Sequence, residues 1–222
     1  MIKAVIFDMY ETLITHYECP LYFGRQMAQD LGIPENEFME LWRPTEDDRT
    51  IGKMTLEDTL RKIMEAMDCF SQERLDLVVR KRRKTKEECF RHLHKEILPM
   101  LCILKEKRIK IGLISNCFSE EVPAIRNSVL FPYFDAVFLS YEQGIAKPDE
   151  EIFRRCMNSL QADASECLYV GDGGSRELET AERLGMKAVQ AVWYFKEGSL
   201  QPVGRKNNFI QAETPLEIID YL

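Results

Sequence analysis

The 222-residue chain lacks most of the features that settle a protein's class at a glance. No apolar run is long enough to span a bilayer, and no basic stretch leads into an apolar signal region. Met1 runs straight into the strand-like Lys3-Ala4-Val5-Ile6-Phe7. Membrane insertion and secretion are therefore not expected, and a cytoplasmic location is. CxxC pairs are missing. The seven cysteines, at positions 19, 69, 89, 102, 117, 156 and 167, are odd in number and show no metal-like spacing with histidine. With no disulfide framework in view, reduced thiols are expected. Basic charge is not in excess. Lys and Arg total 30 against 37 Asp and Glu, and the net charge of -7 argues against a dedicated nucleic-acid partner. A small phosphorylated substrate stays compatible, because a local positive site can sit within an acidic surface. No GxGxxG or Walker motif supports Gly173-Gly174 as a phosphate loop. Internal repeats and low-complexity linkers are also lacking, and nothing speaks to oligomeric state.

What is present is ordinary globular material, 45% hydrophobic and 30% charged, in a chain long enough for one α/β domain plus a smaller inserted one. Short apolar runs that read as buried parallel strands lie at Ala4 to Phe7, Ile109 to Ile114, Ala136 to Leu139, Cys167 to Val170 and Ala188 to Val192. From Ile109 onward they alternate with helical patterns such as Glu151 to Leu160 and Glu177 to Leu184. That alternation predicts an α/β, Rossmann-like three-layer sandwich with a parallel sheet.

Between the first two strands the pattern changes. From about His16 to Arg108 the chain reads as helices with no convincing strand. Thr55 to Met67 opens with Thr55 and Asp58 in a loose capping pattern, and Leu93 to Leu104 is amphipathic but interrupted by Pro99. An inserted α-helical domain is expected at residues 15–97, with the core built from 1–14 and 98–222. The run Arg80-Lys81-Arg82-Arg83-Lys84 reads as a solvated helix face, with a phosphate-attracting patch as the alternative.

Ligands of parallel α/β sheets bind outside the carboxyl ends of the strands. The chemically informative residues fall there. Asp8 follows the first strand, Ser115 and Asn116 the second, Lys147 the third by a short loop, and Asp172 the fourth. Any one of these could be a cap, a turn residue or a surface group. Their order and shared placement are what carry the signal.

The segments Phe7-Asp8-Met9-Tyr10-Glu11-Thr12-Leu13, Ile114-Ser115-Asn116, Lys147-Pro148-Asp149 and Val170-Gly171-Asp172-Gly173-Gly174-Ser175-Arg176-Glu177 resemble the haloacid dehalogenase superfamily. The helical insert looks like that family's four-helix cap. The resemblance implies a hydrolase in which Asp8 attacks the substrate and forms a covalent intermediate. It implies Mg²⁺ held by Asp8, Asp172 and the Tyr10 carbonyl, with Glu177 in or near the shell. Lys147 would neutralise charge, and Ser115 would donate a hydrogen bond to a phosphoryl oxygen. Asn116 belongs to the same motif.

One position departs from the pattern. The family's phosphatases usually carry a second Asp two residues after the nucleophile, as general acid/base. Here it is Tyr10, whose phenol, with an ordinary pKa of about 10, is a poor substitute near neutrality. Many 2-haloacid dehalogenases of the family carry Tyr there, and Leu41-Trp42-Arg43 resembles their segment with a substrate-binding arginine. Those enzymes need no metal and generally lack the Gly-Asp pair that stands here as Gly171-Asp172. An alkyl halide needs no cation to overcome repulsion from a carboxylate, whereas a phosphoester does. A phosphatase acting on a small phosphorylated metabolite is therefore the favoured reading. A 2-haloacid dehalogenase-like hydrolase and a catalytically weak binding protein are the alternatives. Specificity is expected from the cap, through Trp42, Arg43, Arg49 and Thr50. His16, His92 and His94 offer no triad with a nucleophile.

Overall fold

The computed structural model describes residues 1–198, 201 and 203–222. Six strands form one parallel sheet: β1 (Ala4–Phe7), β2 (Lys110–Ser115), β3 (Ala136–Leu139), β4 (Cys167–Gly171), β5 (Lys187–Ala191) and β6 (Ile210–Ala212). Their spatial order is β3-β2-β1-β4-β5-β6. The five expected strands are all present, and β6 is an additional short edge strand. β1 lies centrally, so the chain leaves the middle of the sheet at Asp8. The order reverses on either side of β1, which makes the site a topological switch point.

Between β1 and β2 the described chain is helical. It forms α1 (Gly24–Leu31), α2 (Glu35–Trp42), α3 (Glu46–Thr50), α4 (Leu56–Ala66), α5 (Gln72–Cys89) and α6 (Ile97–Glu106). α7 (Val122–Arg126), α8 (Ser140–Gln143), α9 (Glu150–Leu160) and α10 (Glu177–Arg183) follow among the later strands. α4 starts at the expected capping box: the Asp58 N–H donates to Thr55 Oγ1 at 3.0 Å, and the Thr55 N–H donates back to Asp58 Oδ2 at 3.3 Å. Pro99 falls in the first turn of α6, where its missing N–H costs nothing, so the helix runs through it.

The strands alternate their side chains between two apolar layers. Val5 and Phe7 of β1 pack on the α6 side with Met100 and Leu104, while Ala4 and Ile6 pack on the α9 side with Phe153 and Cys156. The inserted helices hold a third core of their own, centred on Met27, Leu31, Phe38, Leu60 and Val78. A separate core explains why the insert can be a unit that caps the sheet.

The rim of the insert is fastened to loops at the strand tips. Leu56 N–H donates to Ser119 Oγ at 2.9 Å, and Ser140 Oγ donates to the Thr50 carbonyl at 2.8 Å. Gly52 sits between these bonds at φ +78°, and a Cβ there would lie 2.2 Å from the Tyr141 carbonyl oxygen. Gly52→Ala should therefore both strain the backbone and push the insert off the core. A loss of roughly 1–3 kcal/mol is expected, seen as a thermal midpoint lower by several degrees. An unchanged midpoint would show that this rim contact does not matter.

Candidate active site

The short β1 strand ends at Phe7, and the Asp8 N–H donates to the Val170 carbonyl on β4 at 2.9 Å, which holds Asp8 at the carboxyl end of the central strand. Two donors pin one of its carboxylate oxygens. Lys147 Nζ lies 2.7 Å from Asp8 Oδ1, and the Met9 N–H donates to the same atom at 2.7 Å. Among the described residues, Oδ2 takes no hydrogen bond and is left for a ligand or a reacting atom.

Lys147 is buried and held from two sides. Its Nζ donates to the Tyr169 hydroxyl at 3.3 Å. Asn116 grips its backbone: the Lys147 N–H donates to Asn116 Oδ1 at 2.8 Å, and Asn116 Nδ2 donates to the Lys147 carbonyl at 2.9 Å. Asn116 Nδ2 also reaches Ser175 Oγ at 3.3 Å, so one amide links the tips of β2 and β4 to the Lys147 loop. Ser115 is fully buried beside it, with its Oγ 3.4 Å from the Asn116 carbonyl.

On the other side of Asp8, carboxylate oxygens of Asp8, Asp172 and Glu177 lie within 4.8 Å of one another. Glu177 also stitches the loop after β4. Its Oε1 accepts from the Gly173 N–H and its Oε2 from the Ser175 N–H, both at 2.7 Å. Asp172 Oδ1 accepts from the Gly174 N–H at 2.9 Å. Burial, with lesser repulsion from Glu177, raises the Asp8 carboxyl to about 6 despite Lys147. Burial, then Glu177 and Asp8, raises Asp172 to about 8. Burial would lower Lys147, but Asp8 and Glu177 outweigh it and hold the ammonium above its ordinary value. The cluster thus carries more negative charge than its one lysine neutralises.

Tyr10 turns the other way. Its ring stacks on His16 with centroids 4.4 Å apart, Lys86 Nζ lies 5.4 Å from its ring centroid, and its hydroxyl is buried without a hydrogen-bond partner. Burial and neighbouring acids, Glu121 first, push the phenol well above 10. It is a still weaker proton donor than a free tyrosine.

Tyr10 and Asn116 open onto a cavity of about 340 Å³ between the insert and the core. Trp42 and Arg49 line it from the insert, and Phe118 and Glu121 from the core. Trp42 is stacked on Phe38, and the Arg49 guanidinium lies 3.7 Å from the Trp42 ring centroid. Arg43 is not among the lining groups; it is exposed and borders a separate surface depression with Glu35 and Glu40. The Thr50 hydroxyl bonds back to the Glu46 carbonyl, away from the reacting groups.

The cavity is also lined by His16, Arg82, Lys86 and Glu121, none of which was expected in the site. Lys86 pairs with Glu121 at 2.5 Å, and Arg82 with Glu120 at 3.2 Å, all four side chains buried. His16 Nε2 lies 2.6 Å from Lys86 Nζ, and its Nδ1 is 3.3 Å from Glu11. Burial and Lys86 hold His16 below its ordinary value. The basic run is thus not wholly a solvated face. Lys81 and Arg83 pair at the surface with Asp30 and Glu57, but Arg82 points inward. The signal was the α5 stripe Leu75, Val78, Val79, Arg82, Lys86, Cys89, whose inward spacing continues through two charged residues.

A family model described as "haloacid dehalogenase-like hydrolase" matches residues 2–185. The chain belongs to this family. Among its curated relatives, the glyceraldehyde 3-phosphate phosphatase of Methanopyrus kandleri is 25% identical over 130 residues, covering 56% of this chain and 54% of that protein. The chain spans about half or less of the length of several such relatives. Two solved haloacid dehalogenase-like structures share the fold over most of their length. A 2-haloacid dehalogenase from Pseudomonas syringae pv. Tomato DC3000 superposes with a TM-score of 0.68 at 22% identity, covering 99% of this chain and 97% of that one. A HAD family enzyme from Bacteroides thetaiotaomicron, crystallised as a magnesium complex, gives 0.67 at 20%, covering 90% and 96%. Among the described residues, no helix is long and apolar enough to cross a membrane.

The buried pairs make a direct test. Glu121→Gln keeps an acceptor for the Phe118 N–H but strands Lys86, and should cost about 3–5 kcal/mol in urea unfolding. Adding Lys86→Met should recover most of that loss. A single variant as stable as wild type would mean that the pair is not closed in solution.

Proposed function

We propose that this protein is a divalent-cation-dependent phosphatase acting on a small phosphorylated metabolite, with Asp8 as nucleophile. The observation that carries this reading is the convergence of three carboxylates beside one buried lysine. A 2-haloacid substrate gives no reason to collect so much negative charge, whereas a cation that accompanies a phosphoryl group does.

The residues fit such a cation. Asp8, Asp172 and Glu177 offer hard oxygens within 4.8 Å of one another, suited to Mg²⁺. Asp8, Asp172 and the Tyr10 carbonyl would hold it, with Glu177 contributing directly or by holding the Gly173–Ser175 loop around it. When bound, Mg²⁺ supplies charge neutralisation between the carboxylate and phosphoryl oxygens. The chain's own groups do the rest. Asp8 attacks phosphorus, the P–O bond to the leaving group breaks, and an aspartyl phosphate forms. Lys147 stabilises charge on Asp8 and the transferring group, and Ser115 hydrogen-bonds a phosphoryl oxygen. Water then cleaves the acyl phosphate and regenerates Asp8. Asn116 is a positioning residue acting through Lys147. Residues 15–97 form the cap over the core of 1–14 and 98–222, with Trp42 and Arg49 facing the leaving group and Arg43 at the outer cap surface.

The test is phosphate release from a phosphoester panel, run with and without Mg²⁺ and beside 2-haloacids. Mg²⁺-dependent release that is lost in Asp8→Asn is expected. Strong metal-independent halide release would favour the dehalogenase alternative that Tyr10 raises.

In the metal-free protein Asp8 and Asp172 titrate above their unfolded value of about 4. The folded state therefore holds protons that the unfolded chain releases, and stability falls as pH rises from about 4 to about 8. Cation binding needs both carboxylates ionised, so the rise in thermal midpoint on adding Mg²⁺ should grow between about pH 5.5 and about pH 8.5. An equal rise at both pH values would contradict the site. Tyr10 cannot protonate a poor leaving group, so aryl phosphates should turn over faster than alkyl phosphates. Tyr10→Asp should raise alkyl phosphate turnover by about 10- to 100-fold and aryl turnover less. Fast wild-type turnover of alkyl phosphates, unimproved by the substitution, would show that another group supplies the proton.

A further inference from the structure

Among the described residues, one buried cation that lines the cap–core cavity has no ion-pair partner. Arg49 is 2% exposed, yet among the described residues no carboxylate lies within 4.0 Å of its guanidinium. Its Nε donates to Thr45 Oγ1 at 3.0 Å, while Nη1 is buried with no hydrogen-bond partner. Its faces are covered by Trp42, 3.7 Å to the ring centroid, and by Phe118, 4.5 Å to the centroid. Aromatic faces on a guanidinium leave its in-plane N–H fork as the direction in which it can bind. The other two buried cations of the cavity are already paired, Arg82 with Glu120 and Lys86 with Glu121. Glu46, also at the cavity wall, is exposed and makes no ion pair with Arg49.

Leaving a buried guanidinium donor unsatisfied is costly, and a ligand that supplies the missing acceptor removes that cost. From this we infer that the substrate's leaving group carries a second, singly charged anionic group, a carboxylate, which the Arg49 fork binds. The inference rests on the phosphatase reading above and narrows its substrate to a phosphorylated acid. A carboxylate matches one planar fork bidentately and balances one charge. A second phosphate would bring further charge into a cavity whose remaining cations are taken. The volume of about 340 Å³ suits a leaving group of metabolite size.

The test uses three synthetic phosphomonoesters of matched length: 3-(phosphonooxy)propanoate, its carboxamide, and propane-1,3-diyl bisphosphate. Wild-type kcat/KM should favour the acid over the amide by about 10- to 100-fold, mostly through KM, and over the bisphosphate as well. Arg49→Gln should collapse the acid-to-amide ratio towards one. Arg49→Lys, which keeps the charge without the fork, should leave an intermediate ratio. A wild-type ratio near one overturns the inference, as does a high ratio that survives Arg49→Gln or a preference for the bisphosphate. If Arg49 only clamps cap to core, its substitution lowers acid and amide turnover equally and the ratio stays. Should Arg49→Gln fail to fold, the wild-type ratio and Arg49→Lys still decide. Failure of the phosphatase reading looks different: wild type would then release phosphate from none of the three.

Discussion

The structure depends on a local concentration of negative charge. Asp8, Asp172 and Glu177 converge at the ends of neighbouring strands, and among the described residues Lys147 is the one cation paired with them. Such a cluster works against folding in the metal-free protein, because burial disfavours ionised carboxylates and each repels the others. Much of the surrounding architecture restrains it. Asn116 fixes the Lys147 backbone, Tyr169 accepts from the Lys147 ammonium, and the N–H groups of Met9, Gly173, Gly174 and Ser175 each donate to one carboxylate oxygen of the cluster. Groups fixed in this way need no rearrangement when charge arrives in a reaction, which is the condition for electrostatic catalysis.

The seam between cap and core obeys a second constraint. The pairs Arg82–Glu120 and Lys86–Glu121 join α5 to the turn after β2. Buried pairs contribute little over apolar packing, but any seat of α5 that separates the charges is penalised. They therefore fix where the cap closes. Gly52 and the bonds at Thr50 and Leu56 fix it from the other rim. Between the two rims lies the cavity, with Tyr10 on the core side and Arg49 on the cap side.

Much of this was legible in the sequence. A buried parallel strand is a short apolar run, so five strands were readable within about two residues. β6 was not: Ile210–Ala212 is three residues long, lies at the sheet edge and contains a glutamine. Strand-tip placement brought out Asp8, Ser115, Asn116, Lys147 and Asp172, because position along a strand is a local property. The cavity was less legible, since it is built from contacts between distant segments. His16 and Lys86 are 70 positions apart, and Phe118 meets Arg49 across the seam. Charge alone misled at Arg80 to Lys84, where helical phase sends Arg82 inward while its neighbours face water. The resemblance of Leu41-Trp42-Arg43 pointed to Arg43 before Arg49, yet Arg43 is exposed and Arg49 is the buried arginine that lines the cavity.

The central claim is that Asp8 becomes phosphorylated, and it can be read from the protein itself. Acid quenching during turnover of p-nitrophenyl phosphate with Mg²⁺, followed by peptide mass spectrometry, should find one phosphoryl group on the peptide containing Asp8. The adduct should be lost when Mg²⁺ is withheld. An unmodified Asp8 peptide under full turnover, or a phosphoryl group on another residue, would contradict the account.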